Sequence, residues 1–242
     1  MLKINFVSAE PTYGVIGHGR LATQICHYFT LKEIQYHHWF RQMPDTPESL
    51  LQSCDVLLIA IKDDAIVPWL ETNKIASQKP CVHFSGTLQT PLATGFHPLM
   101  TFSKVPLPLD TLEKILFVSP NSNKLFKSYF PQLANPYLQI SADEMPFYHA
   151  LCVMANNFST LLWQKFFDEM EQWSAPTEST QLFLKQTFHN IIMQPKQALT
   201  GPIARHDTKT ILSNLDALKN DSFISIYQGF LSSYQIDHKS TR

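Results

Sequence analysis

Residues 12–29, TYGVIGHGRLATQICHYF, set Gly17, Gly19 and Ala22 in the order G-x-G-x-x-A between a short apolar run and a stretch of helical spacing. A first glycine permits a tight turn after a strand, a second lets the backbone approach a phosphate pair, and a small third residue lets the helix pack close to the strand. The N–H groups that open such a helix have no partner within it and attract anions. The chemistry would be capture of a dinucleotide pyrophosphate, with His18, Arg20 and Leu21 in the same turn. A turn whose glycines serve only the fold is the competing reading, because so short a pattern also arises by chance.

The end of the next apolar run decides which dinucleotide would fit. An Asp or Glu about 20 residues after the glycines would hold a ribose 2′-hydroxyl. Here the sequence reads HWFRQ, with Arg41 at that separation. A guanidinium suits a 2′-phosphate, so NADP is expected over NAD, unless Arg41 is simply a solvated loop residue.

Further along stand residues able to move a proton or orient a ligand: Ser85 in VHFSG, His97 in GFHPLM, and His149, Asn156, Asn157 and Thr160 in YHALCVMANNFST. An imidazole works as acid or base near neutral pH, so His97 is the expected general acid, assisted by Ser85, with His149 as the rival donor. On a regular α-helix, His149, Asn156 and Thr160 fall within an arc of about 40°, with Asn157 about 80–100° away. That face serves either a cleft or plain solvent, and His97 is otherwise a satisfied loop histidine. Thr200 and Arg205 flank the Gly201-Pro202 break in ALTGPIARHD and could meet a ligand carboxylate or phosphate; an ordinary turn between helices accounts for them equally. His83 reads as structural, and His27, His37, His38, His189 and His238 as structural or solvated.

Elements must position these groups. Up to about residue 142, runs rich in Val, Ile and Phe alternate with polar or helical stretches, the pattern of βα units over a parallel sheet. TYGVI, IQYHHWF, DVLLIAI, PCVHFSG, KILFVSP and YLQIS are the candidate strands, and GRLATQICHYFTLKE is the first helix. Beyond Met145 the texture is helical. One long helix is expected over residues 146–173, with Leu151, Met154, Ala155, Phe158, Leu161 and Leu162 as its apolar stripe. A second helix follows, capped by Thr177 or Ser179, then a third starting at Asp207 and a last one over SFISIYQGFL. The expectation is an α/β chain in two parts, a Rossmann dinucleotide-binding domain over residues 1–143 and a helical domain over 144–242 for substrate binding and dimerisation.

Composition bounds the function. The chain has 242 residues, 44% hydrophobic and 16% charged, with a formal net charge of -1. Its basic residues are scattered, so no footprint for nucleic acid or an anionic membrane appears. VLLIAI is far shorter than the roughly 20 residues of a membrane span. The opening MLKINFVSAEP is too weakly apolar for a secretory signal and reads as an extra strand or docking arm. Four separated cysteines and no repeated metal spacing among the ten histidines predict buried free thiols in a reducing cytoplasm and no metal.

Taken in order, GVIGHGRLA, DVLLIAIKDDAI, VHFSG, GFHPLMTF, YHALCVMANNFSTLL and ALTGPIARHD resemble Rossmann-like oxidoreductases whose helical C-terminal domain has no assigned function. These belong with the wider relatives of pyrroline-5-carboxylate reductase, deazaflavin-dependent NADP oxidoreductase and 6-phosphogluconate dehydrogenase. The resemblance adds Ile61 and Lys62 to the cofactor residues and implies a homodimer. One departure is His206, where the family pattern has a small glycine. FSG and GFHPL are similar to the prephenate dehydrogenase region in which a serine and a histidine work on the substrate hydroxyl, which would place those roles on Ser85 and His97. The helix bearing His149 resembles that of ketopantoate reductase and hydroxyacid dehydrogenases, where a Lys stands in its place and an Asn follows at Asn156 or Asn157. The expected activity is NADP-dependent oxidoreduction of a small polar metabolite, a keto or hydroxy acid. Imine reduction, and NADP binding without turnover as a sensor or scaffold, are the alternatives.

Overall fold

The computed structural model describes residues 10–123 and 125–239. The strand or arm expected at residues 1–9 lies outside them. The first elements are β1 (Tyr13–Ile16), α1 (Arg20–Leu31), β2 (Tyr36–Trp39), α2 (Pro47–Leu51), β3 (Val56–Ile59), α3 (Asp63–Thr72) and β4 (Cys81–His83). They are followed by two short strands, β5 (Thr94–Gly95) and β6 (His97–Pro98), then α4 (Leu109–Leu112), β7 (Phe117–Pro120), α5 (Phe126–Tyr129) and β8 (Tyr137–Ile140). The helical part holds α6 (Met145–Val153), α7 (Ser159–Gln172), α8 (Thr177–Met193), α9 (Gly201–Ala204), α10 (Thr208–Ala217) and α11 (Ile224–Lys239).

Five strands form a parallel sheet in the order β2-β1-β3-β4-β5, and β6-β7-β8 form a second, three-stranded sheet. This is a Rossmann-like sheet with a helical C-terminal region. β1 and β3 are buried along their whole length, as expected of strands covered on both faces. Tyr13, Val15, Val56 and Leu58 turn toward one core with Phe29 of α1, whereas Ile16, Leu57 and Ile59 turn toward another with Ile66 and Leu70 of α3. The register Ile16↔Ile59 and Ile16↔Trp39 brings the ends of β1, β2 and β3 level, so their following turns lie together at one edge.

All six candidate strands are present. The two-residue β5 and β6 are too short to show periodicity, and β6 carries His97. β5 continues the parallel sheet beside β4; after the fully buried Phe96, β6 turns into antiparallel pairing with β7, with His97 opposite Val118. Asn135 ties the far side together. Its amide donates to the carbonyls of Leu112 (2.7 Å) and Ile115 (3.0 Å) and accepts from the Tyr28 hydroxyl (2.8 Å).

By internal contacts the chain divides into two compact units, one ending at Leu161 and the other beginning at Leu162. Three helical expectations change. The long helix is interrupted by a π-helical turn at Met154–Phe158, which widens the backbone and moves Asn156 and Asn157 off the regular helical arc. Pro176, not Thr177 or Ser179, caps α8, and it makes no side-chain hydrogen bond there. Gly201-Pro202 opens the short α9 instead of only breaking a helix, with Pro in the first turn where its missing N–H costs nothing. Asp207 does cap α10, accepting from the Thr210 N–H at 3.1 Å. His206 takes φ +53°, the left-handed conformation that glycine adopts most easily.

Candidate functional site

The glycine turn is built by close approach of the chain to itself. Gly17 has φ +123°, and a Cβ placed there would sit 2.2 Å from the Ala60 carbonyl oxygen just past β3. Its N–H donates to Trp39 O (2.9 Å), and its carbonyl accepts from His38 Nε2 (2.6 Å), so β2 grips the turn from one side. His38, expected to be structural or solvated, is therefore a strut of this turn. Gly19 caps α1 without a side-chain hydrogen bond, a Cβ on it would meet nothing within 4 Å, and no acid stands in the first turn. Arg20 and Leu21 begin α1. A free helix N-terminus, bare of side chains and of negative charge, fits a pyrophosphate.

Beside the turn lies a cavity of about 510 Å³ lined by Gly17, His18, Phe40, Arg41, Ile61 and Lys62 among others. His18 stacks on Phe40 with ring centroids 4.3 Å apart. Arg41 and Lys62 are the cations among the lining residues, and no Asp or Glu is among them.

A second cavity of about 320 Å³ is lined by His97, His149, Cys152, Asn156 and Asn157, with Leu99, Met100 and Thr101. The His97 and His149 rings lie nearly perpendicular, 5.6 Å apart. His97 Nδ1 is 2.9 Å from the Tyr148 hydroxyl. His149 rests on Gly86, where a Cβ would come within 2.2 Å of the imidazole, so only glycine admits the ring. Burial, then the neighbouring His149, push the pKa of His97 down to about 4, against a smaller upward pull from Asp63. With its pKa held that low, the His97 imidazole is neutral at pH 7.

The remaining expected residues fall as follows. The Ser85 hydroxyl donates to the Asp63 carboxylate in a short hydrogen bond and accepts from the N–H groups of Thr87 (3.3 Å) and Leu88 (3.1 Å). It braces the loop after β4 and makes no hydrogen bond to His97 among the described residues. The Asn156 side-chain amide donates to Asn157 Oδ1 (3.2 Å), and the Thr160 hydroxyl donates to the backbone carbonyl of Asn156 (2.8 Å). Thr200 precedes α9 and the exposed Arg205 follows it, both in the second unit. Tyr148, Gly86 and Asp63 were not singled out by sequence; Tyr148 and Cys152 do stand four apart, the spacing of neighbours on one helix face. Cys54 and Cys81 are buried free thiols, while Cys26 and Cys152 are half-buried. Among the described residues, no cluster of three or more His, Cys, Asp or Glu could hold a metal, and no helix is long and apolar enough to cross a membrane.

A domain of unknown function, DUF2520, matches residues 118–233. A search of the curated proteins found no match. In structure the chain is similar to a Bacteroides fragilis protein provisionally assigned as an NADP oxidoreductase, with TM-score 0.74, 19% identity, and coverage of 93% of this chain and 98% of that one. It is similar to pyrroline carboxylate reductase of Plasmodium falciparum, solved with NADP bound, with TM-score 0.61, 15% identity, and coverage of 95% and 97%. It is also similar to an imine reductase variant of Myxococcus stipitatus solved with NAD+, with TM-score 0.58, 15% identity, and coverage of 96% and 95%. At such identities the likeness establishes the fold, and it does so over nearly the whole chain.

His83, in β4, supplies a test of the electrostatics of the buried sheet. It is 1% exposed, its Nδ1 has no hydrogen-bond partner among the described residues, and burial pushes its pKa from 6.5 down to about 4. The unfolded chain therefore binds this proton at a higher pH than the folded one. The stability it contributes is whole above pH 6.5 and is lost as pH falls toward 4, a loss on the order of 3 kcal/mol. Urea unfolding between pH 7.5 and 4.5 should show a shallower loss for His83→Gln than for the natural protein. Equal slopes would contradict the assignment.

Proposed function

We propose that the protein is an NADP-dependent oxidoreductase acting on a small polar metabolite, a keto or hydroxy acid, with NAD as the weaker cofactor. One observation carries this reading: the bare glycine turn opens beside a cavity whose lining holds Arg41 and Lys62 and no acid, on a sheet like that of oxidoreductases. The pyrophosphate would meet the N–H groups opening α1, with Gly17, Gly19, Arg20 and Leu21 around it. The 2′-phosphate would meet Arg41, with His18, Ile61 and Lys62 completing the walls.

The bound dinucleotide would supply the hydride. Everything else falls to the chain. The pocket formed by His97, His149 and the Asn156-Asn157 pair is of a size for a small metabolite. The amides orient the substrate. His97, neutral, donates a hydrogen bond to the heteroatom on which negative charge develops, as a neutral imidazole does elsewhere in carbonyl chemistry. His149 faces the same pocket with its ring 5.6 Å from that of His97, and it delivers the proton that completes the reduction. Ser85 holds Asp63 and the loop that carries Gly86 beneath His149.

Imine reduction is the second reading, favoured by one feature of the pocket: the described residues lining it include no Lys or Arg to hold a carboxylate. The missing lysine of the related helix favours instead NADP binding without turnover, which His97 and Ser85 oppose.

The helical unit is proposed to pair with a second copy. Trp173, Leu182, Phe183, Ile192, Met193 and Leu212 are each more than half exposed, an apolar load unusual for a surface in water. Light scattering at micromolar concentration should give twice the chain mass; a monomer would overturn the pairing.

Cofactor choice is the first test of function. Fluorescence titration should show NADPH binding more tightly than NADH, and Arg41→Ala should weaken NADPH roughly 10-fold or more while leaving NADH nearly unchanged. Equal affinities, or no loss on Arg41→Ala, would remove the NADP assignment. Absence of binding by either nucleotide would remove the function.

A further inference from the structure

We propose that Tyr148 is a positioning residue that holds His97 in the tautomer carrying its proton on Nε2, so that a neutral N–H donor is offered to the substrate. This rests on the reading of His97 as the donor of the site and adds the reason it can donate at all. A neutral imidazole has one N–H and one bare nitrogen, and only one of the two tautomers is useful.

The geometry leaves one nitrogen committed. His97 Nδ1 lies 2.9 Å from the Tyr148 hydroxyl, with the rings in edge contact at 5.5 Å. Either group can formally donate. A phenol O–H to a bare imidazole nitrogen is the stronger arrangement, because that nitrogen is the better base and the phenol the better acid. Burial, followed by the neighbouring Cys152, raises the Tyr148 hydroxyl above the usual tyrosine range, which keeps its proton in place. The other candidate acceptor beside it, the Cys152 sulfur one turn along α6, is weak. Tyr148 therefore donates to Nδ1, and the ring proton resides on Nε2.

The frame around the pair is fixed. His97 sits in β6 with its backbone paired to Val118, and Pro98 limits the chain on its other side. Tyr148 and His149 are successive residues of α6, so the helix that supplies the second imidazole also sets the tautomer of the first. The titratable groups around His97 are Asp63 of α3 and Tyr148, His149 and Cys152 of α6.

The test reads the tautomer itself and needs no substrate. In the full-length protein labelled with 15N-histidine, long-range 1H–15N spectra at pH 7.5 should show His97 as a single Nε2–H form, identified by its loss in His97→Asn. Tyr148→Phe keeps the ring and removes the donor; the preference, expected at about 10-fold or more, should collapse to a mixture of both forms while the amide spectrum stays folded. An Nδ1–H form in the natural protein would overturn the proposal without any variant. An unchanged Nε2–H form in Tyr148→Phe would overturn it as well. Failure of NADPH to bind would count against the proposed function and leave the tautomer result standing.

Discussion

The structure depends on one close approach: the backbone leaving β1 at Gly17 passes so near the carbonyl of Ala60 that no side chain fits between them. That contact joins the ends of β1 and β3, and the hydrogen bonds of Gly17 with Trp39 and His38 bring in β2. Three strand ends are thereby drawn to one point, and α1 starts from it with its first N–H groups uncovered. Sheet burial and a binding cradle follow from the same turn. A residue with φ +123° stores backbone strain for anything but glycine, so the fold and the cradle cannot be separated by mutation at Gly17.

The second pocket is organised on the opposite electrostatic principle. The turn gathers positive potential from Arg41, Lys62 and helix N–H groups, whereas the pocket near β6 is lined, among the described residues, by imidazoles and amides and by no Lys, Arg, Asp or Glu. Burial removes charge from His97, and the hydrogen bond to Tyr148 replaces charge with direction. A hydride acceptor that develops negative charge would then meet oriented dipoles, which stabilise it without the solvent reorganisation that a mobile cation would demand.

Much of this was legible in the sequence because it rests on patterns that need no partner. The glycine spacing, the alternating βα texture and Asp207 as the cap of α10 are local. Ser85, His97, His149 and the two asparagines were visible by type. What escaped depends on residues distant in sequence meeting in space. Nothing near Tyr148 announces that a histidine 51 residues earlier will meet its hydroxyl. Gly86 reads as a loop glycine until the ring of His149 lands on it, and Asp63 as an ordinary first-turn acid until Ser85 reaches it. β5 and β6, two residues each, are strands only by virtue of their neighbours. The π-turn at Met154–Phe158 is likewise unannounced, since apolar spacing there fits a continuous α-helix.

The central claim is that the space above α1 belongs to a dinucleotide pyrophosphate. Gly19 tests it most directly, because its φ of -78° is open to any residue and nothing stands within 4 Å of the position a Cβ would take. Gly19→Val should leave the melting temperature close to that of the natural protein, and calorimetric titration should show NADPH affinity reduced by about 10-fold or more, since the added methyl groups fill the space the phosphates need. Undiminished NADPH affinity in a folded Gly19→Val protein would contradict the account.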